Sequence, residues 1–234
     1  MTNPKVLVGC PTSIHKKYCI EEYLAAAKAL TYPNYDLILV DNTESDEYYD
    51  FLESKGVTVF KAPYYAETAR ERIVVSRNML RQYALENDYD YFLSLEQDVI
   101  PPLDIIEQLL KQEKKVIAGV YFMEYTVKKE GQEMGKKILP LLYRRQDQDT
   151  FVQLTERDVA LETVLLIDMT GLGCILIHRD VLEKIEFRFE EDKILFDDWF
   201  FCQDLKKESI PLFVDTKVKC KHLMREMDWD NIKK

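Results

Sequence analysis

Tyr91-Phe92-Leu93-Ser94-Leu95-Glu96-Gln97-Asp98, followed by Val99-Ile100-Pro101-Pro102, is the stretch on which the fold of this chain turns. Residues 91 to 95 are apolar or small without polar alternation, which suits a strand buried in a parallel sheet. The run ends in two carboxylates flanking an amide, and the proline pair stops the strand. Beyond it Leu103, Ile106, Leu109 and Leu110 recur at helical spacing.

The same grammar extends on either side. Lys5–Gly9 is a short apolar run stopped by Pro11, and Ile20, Tyr23, Leu24 and Ala27 follow at helical spacing. Asp36–Val40 forms a second run, closed by the polar segment from Asp41 to Asp46. Val57–Phe60 is a third, ended by Pro63, and a long helix follows from Glu67 to Leu85 with Ile73, Leu80 and Ala84 on its buried face. Val116–Phe122 is a fifth strand. This alternation predicts a mostly parallel sheet with helices on both faces. Ligands of such sheets bind beyond the carboxyl ends of the strands, which singles out Thr12, Asp41, Asn42, Glu96 and Asp98.

Residues 124 to 166 break the pattern, with charged stretches and short apolar bursts that read as hairpins. Order returns at Gly171-Leu172-Gly173, a strand over Cys174–His178 and a helix over Asp180–Ile185. A further helix over Asp197–Ser209 and a strand over Pro211–Val214 lead to Cys220-Lys221-His222. With no repeat and no low-complexity linker, one domain over 1–234 is expected.

The bulk composition narrows the function. A net charge of −10 over 234 residues argues against broad contact with a nucleic-acid backbone, which calls for a basic face. The five cysteines have no paired short spacing, so reduced buried thiols are expected rather than disulfides or a zinc site. No run reaches the ~20 apolar residues of a membrane span. The amino terminus lacks the plan of a secretory signal, so a cytoplasmic location is expected.

Several side chains could carry chemistry. Glu96 and Asp98 stand two residues apart at a strand end, where carboxylates can converge on a cation that bridges two phosphates; a solvated acidic turn is the alternative. His222 follows an apolar strand, and imidazole beside a carboxylate favours Mn2+ over Mg2+. Asp197-Asp198 opens a helix. One of them is expected to cap it; the second could act as a general base. Arg77 lies on the apolar stripe of its helix and needs a partner, with Asp41 one candidate, or else reaches a ligand.

In order along the chain, these segments resemble the GT-A glycosyltransferases, in particular family 2-like members. Val8-Gly9-Cys10-Pro11-Thr12 resembles the family's first strand and donor loop, and Leu39 to Asp46 its second-strand motif, with Asp41 at the position that contacts the nucleoside. Ser76-Arg77-Asn78 is similar to the family's Ala-Arg-Asn, and Leu95 to Asp98 to its Asp-x-Asp metal motif. Asp168 to Arg179 resembles a segment lining the acceptor side. Asp197-Asp198-Trp199-Phe200-Phe201-Cys202 resembles the family's acidic pair with aromatics, and Val218 to His222 its last strand with a metal-binding histidine. Glu96 replaces the usual first aspartate of the metal motif. Phe196 and Ser209 stand where glycine is common.

The resemblance implies an α/β three-layer sandwich around a mostly parallel central sheet, with a nucleotide-binding half (1–123) and an acceptor and catalytic half (124–234). It implies transfer of a sugar, with inversion, from a nucleotide-diphosphate sugar to a glycan, lipid-linked or protein acceptor. Asp98 and His222, with Glu96, would hold Mn2+ or Mg2+. Pro11, Thr12, Asp41, Arg77, Glu96 and Gln97 would serve the donor, Gly171, Gly173 and Trp199 the acceptor side, and Asp198 with Asp197 catalysis. Two alternatives stand beside it. A sugar-phosphate nucleotidyltransferase normally carries a glycine-rich basic loop after the first strand, which Gly9-Cys10-Pro11-Thr12-Ser13-Ile14 does not provide. A non-catalytic nucleotide- or glycan-binding module would be expected to lack one of Asp98, Asp198 and His222.

Overall fold

The computed structural model describes residues 3–129, 132–147 and 150–224. Its centre is an eight-stranded sheet. In chain order its strands are β1 (Val6–Thr12), β2 (Tyr35–Asp41), β3 (Thr58–Lys61), β4 (Tyr91–Leu95), β5 (Val116–Val120), β6 (Val164–Ile167), β7 (Cys174–His178) and β8 (Leu212–Lys219). Their order across the sheet is β6-β8-β5-β7-β4-β1-β2-β3. β7 runs antiparallel to both its neighbours and β6 antiparallel to β8, while the remaining pairs are parallel. Both reversed strands come from the second half of the chain, so the expected α/β sandwich is present with its antiparallel additions.

The helices α1 (Ile20–Lys28), α2 (Glu47–Ser54), α3 (Ala69–Glu86), α4 (Ile105–Leu110) and α5 (Asp197–Lys207) cover the sheet. The two-residue period of the strands sends alternate side chains to two separate cores. Val6, Val8, Leu93 and Leu95 join Tyr23 and Ile106 on one face; Leu7, Phe92, Ile175 and Ile177 join Leu80 and Phe201 on the other.

Two local readings change. β1 runs through Pro11 instead of stopping before it. Val6 donates to Asn34 and Thr12 accepts from Asn42, so the even residues turn to β2 and Pro11 turns to the β4 side. There the pairing ends at Gly9, so the missing N–H costs no ladder bond. Ile73 is half-buried and faces a cleft rather than the core.

α3 begins where its sequence can cap it: the Thr68 side chain accepts from the Glu71 N–H at 3.2 Å. It ends at Asn87, with Asp88 in the left-handed region at φ 55° and Tyr89 N–H closing on the Ala84 carbonyl. Residues 122–129 and 132–140 pair as an antiparallel hairpin standing outside the main sheet, as the charge-rich segment suggested. The five cysteines are free and buried. Among the described residues no helix is long and apolar enough to cross a membrane.

Candidate functional site

The carboxyl ends of β1, β2, β4 and β5 open into a cleft of ≈310 Å³. Pro11 and Thr12 reach it from β1, Glu96, Gln97 and Asp98 from the turn after β4, Asp197 and Asp198 from the start of α5, and His222 from beyond β8. These residues are up to about two hundred positions apart in the chain. They converge because strand ends at the switch in strand direction leave the sheet on the same side.

Arg77 lies under the cleft rather than in it. Its side chain is 1% exposed; Nε donates to Asp197 Oδ2 at 2.7 Å and Nη2 to Glu96 Oε1 at 2.9 Å, while Nη1 donates to the Ser94 hydroxyl. Asp41, the partner considered from sequence, is elsewhere: its Oδ1 accepts the Thr43 N–H at 2.9 Å and its Oδ2 the Lys61 ammonium at 3.0 Å. The neighbours of Arg77 explain the rest of its motif. Asn42 donates to the Ser76 hydroxyl, and Asn78 exchanges two hydrogen bonds with the backbone of Phe187. Ser76-Arg77-Asn78 therefore pins α3 to three separate parts of the fold.

Asp197 consequently does not cap α5, which has no side-chain cap at all. Its charge is spent on Arg77. Asp198 is half-open to the cleft but closely surrounded by protein, and its Oδ1 accepts the Trp199 N–H at 2.7 Å. Burial, and next the negative charge of Asp197, push its carboxyl up to about 7. A carboxylate with that affinity for protons suits proton transfer near neutral pH.

At the other side of the cleft Asp98 is 5% exposed. His222 Nδ1 lies 2.8 Å from the Phe122 carbonyl and its Nε2 lies 3.5 Å from Asp98 Oδ2. Burial alone would lower the His222 pKa, but the bond to Asp98 and that carboxylate's charge outweigh it and raise it, so a proton on Nε2 faces Asp98, and its loss would leave a lone pair there. Asp98 Oδ1 is buried without a hydrogen-bond partner. The Lys16 ammonium contacts Asp98 Oδ2. Burial alone would raise the Asp98 carboxyl, but the His222 bond and the Lys16 charge outweigh it and lower it to about 2.

An unpartnered carboxylate oxygen beside an imidazole nitrogen that can give up its proton is a fitting pair of ligands for a divalent cation. No group of three His, Cys, Asp or Glu side chains able to hold a metal occurs among the described residues. A cation here would thus draw most of its shell from phosphate oxygens and water, as hard cations at phosphate sites do. Glu96 turns Oε1 to Arg77 and joins the site as part of that ion-pair cluster.

Other expected residues divide. Thr12 is buried against the Tyr48 hydroxyl at 3.4 Å. Gln97 is 1% exposed, with Nε2 on Cys19 Sγ and Oε1 without a partner. Gly171 borders the cleft; Gly173 lies behind it and donates its N–H to the Tyr121 hydroxyl at 3.3 Å. Trp199 does not border the cleft and packs edge-on against Phe151. Since both Asp41 oxygens are engaged, Asn42 is the side chain from that strand end that borders the cleft.

Lys16, Arg72 and Tyr121 also border the cleft and were not singled out from sequence. Arg72 donates from Nη1 to the Ala66 and Glu67 carbonyls, which holds the loop before α3. Tyr121 sits edge-on to His222, and burial together with the Glu96 and Asp198 charges keeps its phenol protonated. Its signal in the sequence was Gly171-Leu172-Gly173, because a Cβ at either glycine would meet the Tyr121 ring end. Lys16 had a signal too, in the pair Lys16-Lys17 just past the first strand. The basic group sought there is carried by the 3-10 turn Ile14–Cys19 and not by a glycine loop.

No family model matches the chain, and no curated protein matches it in sequence. Solved structures do resemble it. GalNAc-T7, solved with UDP, GalNAc and Mn2+, matches with a TM-score of 0.63 and 10% identity over 95% of this chain and 44% of that one. S. aureus TarS 1-349, solved in complex with UDP-GlcNAc, matches with a TM-score of 0.57 and 12% identity, over 96% and 60% of the two chains. The chain thus spans less than two thirds of each. At these identities the likeness establishes the fold, which is that of the GT-A glycosyltransferases.

Proposed function

We propose that this GT-A fold works as a glycosyltransferase, moving a sugar from a nucleotide-diphosphate donor to an acceptor hydroxyl with inversion. The observation that carries the reading is that Asp198, with its raised carboxyl, borders the same cleft as the Asp98–His222 pair. Neighbours solved with UDP-sugar components make a nucleotide sugar the natural donor class.

In this reading the Asp198 carboxylate accepts the proton of the acceptor hydroxyl as that oxygen attacks the anomeric carbon. The bond from the anomeric carbon to the donor phosphate oxygen breaks on the opposite side, and the nucleoside diphosphate leaves with that electron pair. Asp98 and His222 would hold a divalent ion, Mn2+ being the better match to an imidazole ligand. Such an ion supplies charge neutralisation to the departing diphosphate. Arg77, through Asp197 and Glu96, fixes the start of α5 and the turn after β4 relative to each other, so that base and leaving-group ends of the cleft keep their spacing. Asn42, Thr12 and Pro11 form the wall for the nucleoside.

A panel of nucleotide sugars assayed for nucleoside diphosphate release, in Mn2+ and in chelator, tests the reading. Release that needs Mn2+ and is lost in Asp198→Asn is expected. Production of pyrophosphate from a sugar phosphate and a nucleoside triphosphate would instead identify a nucleotidyltransferase.

A further inference from the structure

The Asp98 oxygen that faces His222 Nε2 is the one that also takes the Lys16 ammonium. Lys16 is carried by the 3-10 turn after β1, and its side chain is 24% exposed. The arginines around the cleft have fixed duties: Arg77 holds Asp197 and Glu96, and Arg72 holds two backbone carbonyls. The Lys16 stem is long, flexible and open to the cleft, and its ammonium is a compact point charge.

An ammonium on Asp98 Oδ2 and a divalent cation on either oxygen of the same carboxylate would lie close together and repel strongly. One must yield. A diphosphate in the cleft would offer the ammonium a better counter-charge than Asp98 alone, since it carries more negative charge over several oxygens. We infer that Lys16 is a tethered counter-ion, which occupies Asp98 in the absence of a donor, competes there with a divalent cation, and transfers to the diphosphate when a donor binds. Metal and donor binding are then coupled through one side chain, and the coupling is reciprocal. The inference rests on the reading that Asp98 and His222 hold a divalent ion, and it adds that an intrinsic residue keeps the ion out until a donor is present.

The test uses Lys16→Met, which keeps the apolar stem and deletes the charge, with Lys16→Gln as a second variant should the first fold poorly. Mn2+ alone is titrated into each protein by calorimetry and by the electron paramagnetic resonance of free Mn2+. Lys16→Met should bind Mn2+ about tenfold or more tightly than wild type, since removing a like charge beside a bound ion is worth at least that at a partly exposed site. Adding Asp98→Asn to the variant should abolish the gain. In chelator, pyrophosphate should bind wild type more tightly than either Lys16 variant. Equal Mn2+ affinity in wild type and variant would overturn the role of Lys16 while leaving the metal reading intact. Failure of both proteins to bind Mn2+ at millimolar concentration would overturn both. Unchanged pyrophosphate affinity would remove the transfer to the diphosphate.

Discussion

Arg77 Nε donates to Asp197 Oδ2 at 2.7 Å, joining the middle of α3 to the first residue of α5 with both side chains under 5% exposed. That bond gives adjacent aspartates opposite duties. Asp197 is a fixed charge on the arginine, and its negative field, after burial, is the second cause of the raised carboxyl of Asp198.

Breaking the pair by removing one partner strands a buried charge. Arg77→Met should lower stability by about 3–5 kcal/mol in urea or guanidinium unfolding. Asp197→Asn should also destabilise, and not be the mild change expected of a helix cap. A stability loss under ~1 kcal/mol in Arg77→Met would show that the ion-pair cluster does not form as described.

Asp198 makes two pH predictions of known sign. As a base with a carboxyl near 7, it should give a transfer rate that climbs with pH and levels off above that value. Asp198→Asn should lose roughly 10²–10⁴-fold in rate. For stability, the folded carboxyl holds its proton to higher pH than the unfolded one, so its stabilising effect is complete only below the ordinary aspartate range. It is lost as pH rises towards 7. Asp198→Asn should therefore melt higher than wild type at pH 8, with the advantage fading as pH falls to about 4. A variant that is fully active, or that melts lower at pH 8, contradicts the assignment.

His222→Ala should leave the melting temperature close to wild type, because the half-buried ring sits at the end of the chain's last described strand pair. Mn2+ affinity should drop by at least the ~10–100-fold seen on disturbing a metal site's supporting groups. Measuring Mn2+ affinity and melting together separates loss of a ligand from loss of fold.

Gly171→Ala is expected to disturb the cleft from behind. An added Cβ would overlap the Tyr121 hydroxyl and come within 2.7 Å of Leu141 Cδ2. Tyr121 cannot simply retreat, being held by the Gly173 N–H and packed on His222. Overpacking of this kind costs about 1–3 kcal/mol. A crystal structure of the variant with Tyr121 unmoved would contradict the packing argument.

By itself the sequence determined the strands and several of the residues that border the cleft. Apolar runs such as Tyr91–Leu95 end in abrupt polar turns, and strand burial with helical spacing is a local property readable from neighbouring residues. Asp98 and His222 stood out as reactive groups just past apolar strands, and Asp198 as the second carboxylate at a helix start; all three border the cleft. Tertiary structure alone decided who partners whom. Arg77 chose Asp197 and Glu96 over Asp41, Asp41 was taken by Lys61, Trp199 turned to Phe151, and Lys16 reached Asp98. The strand order also lay beyond the sequence, because β7 enters between β4 and β5 from far along the chain. Periodicity says which face of an element is buried. Pairing of charges depends on distances across 120 residues of intervening chain in the case of Arg77 and Asp197, and only packing the sheet and helices together sets those distances.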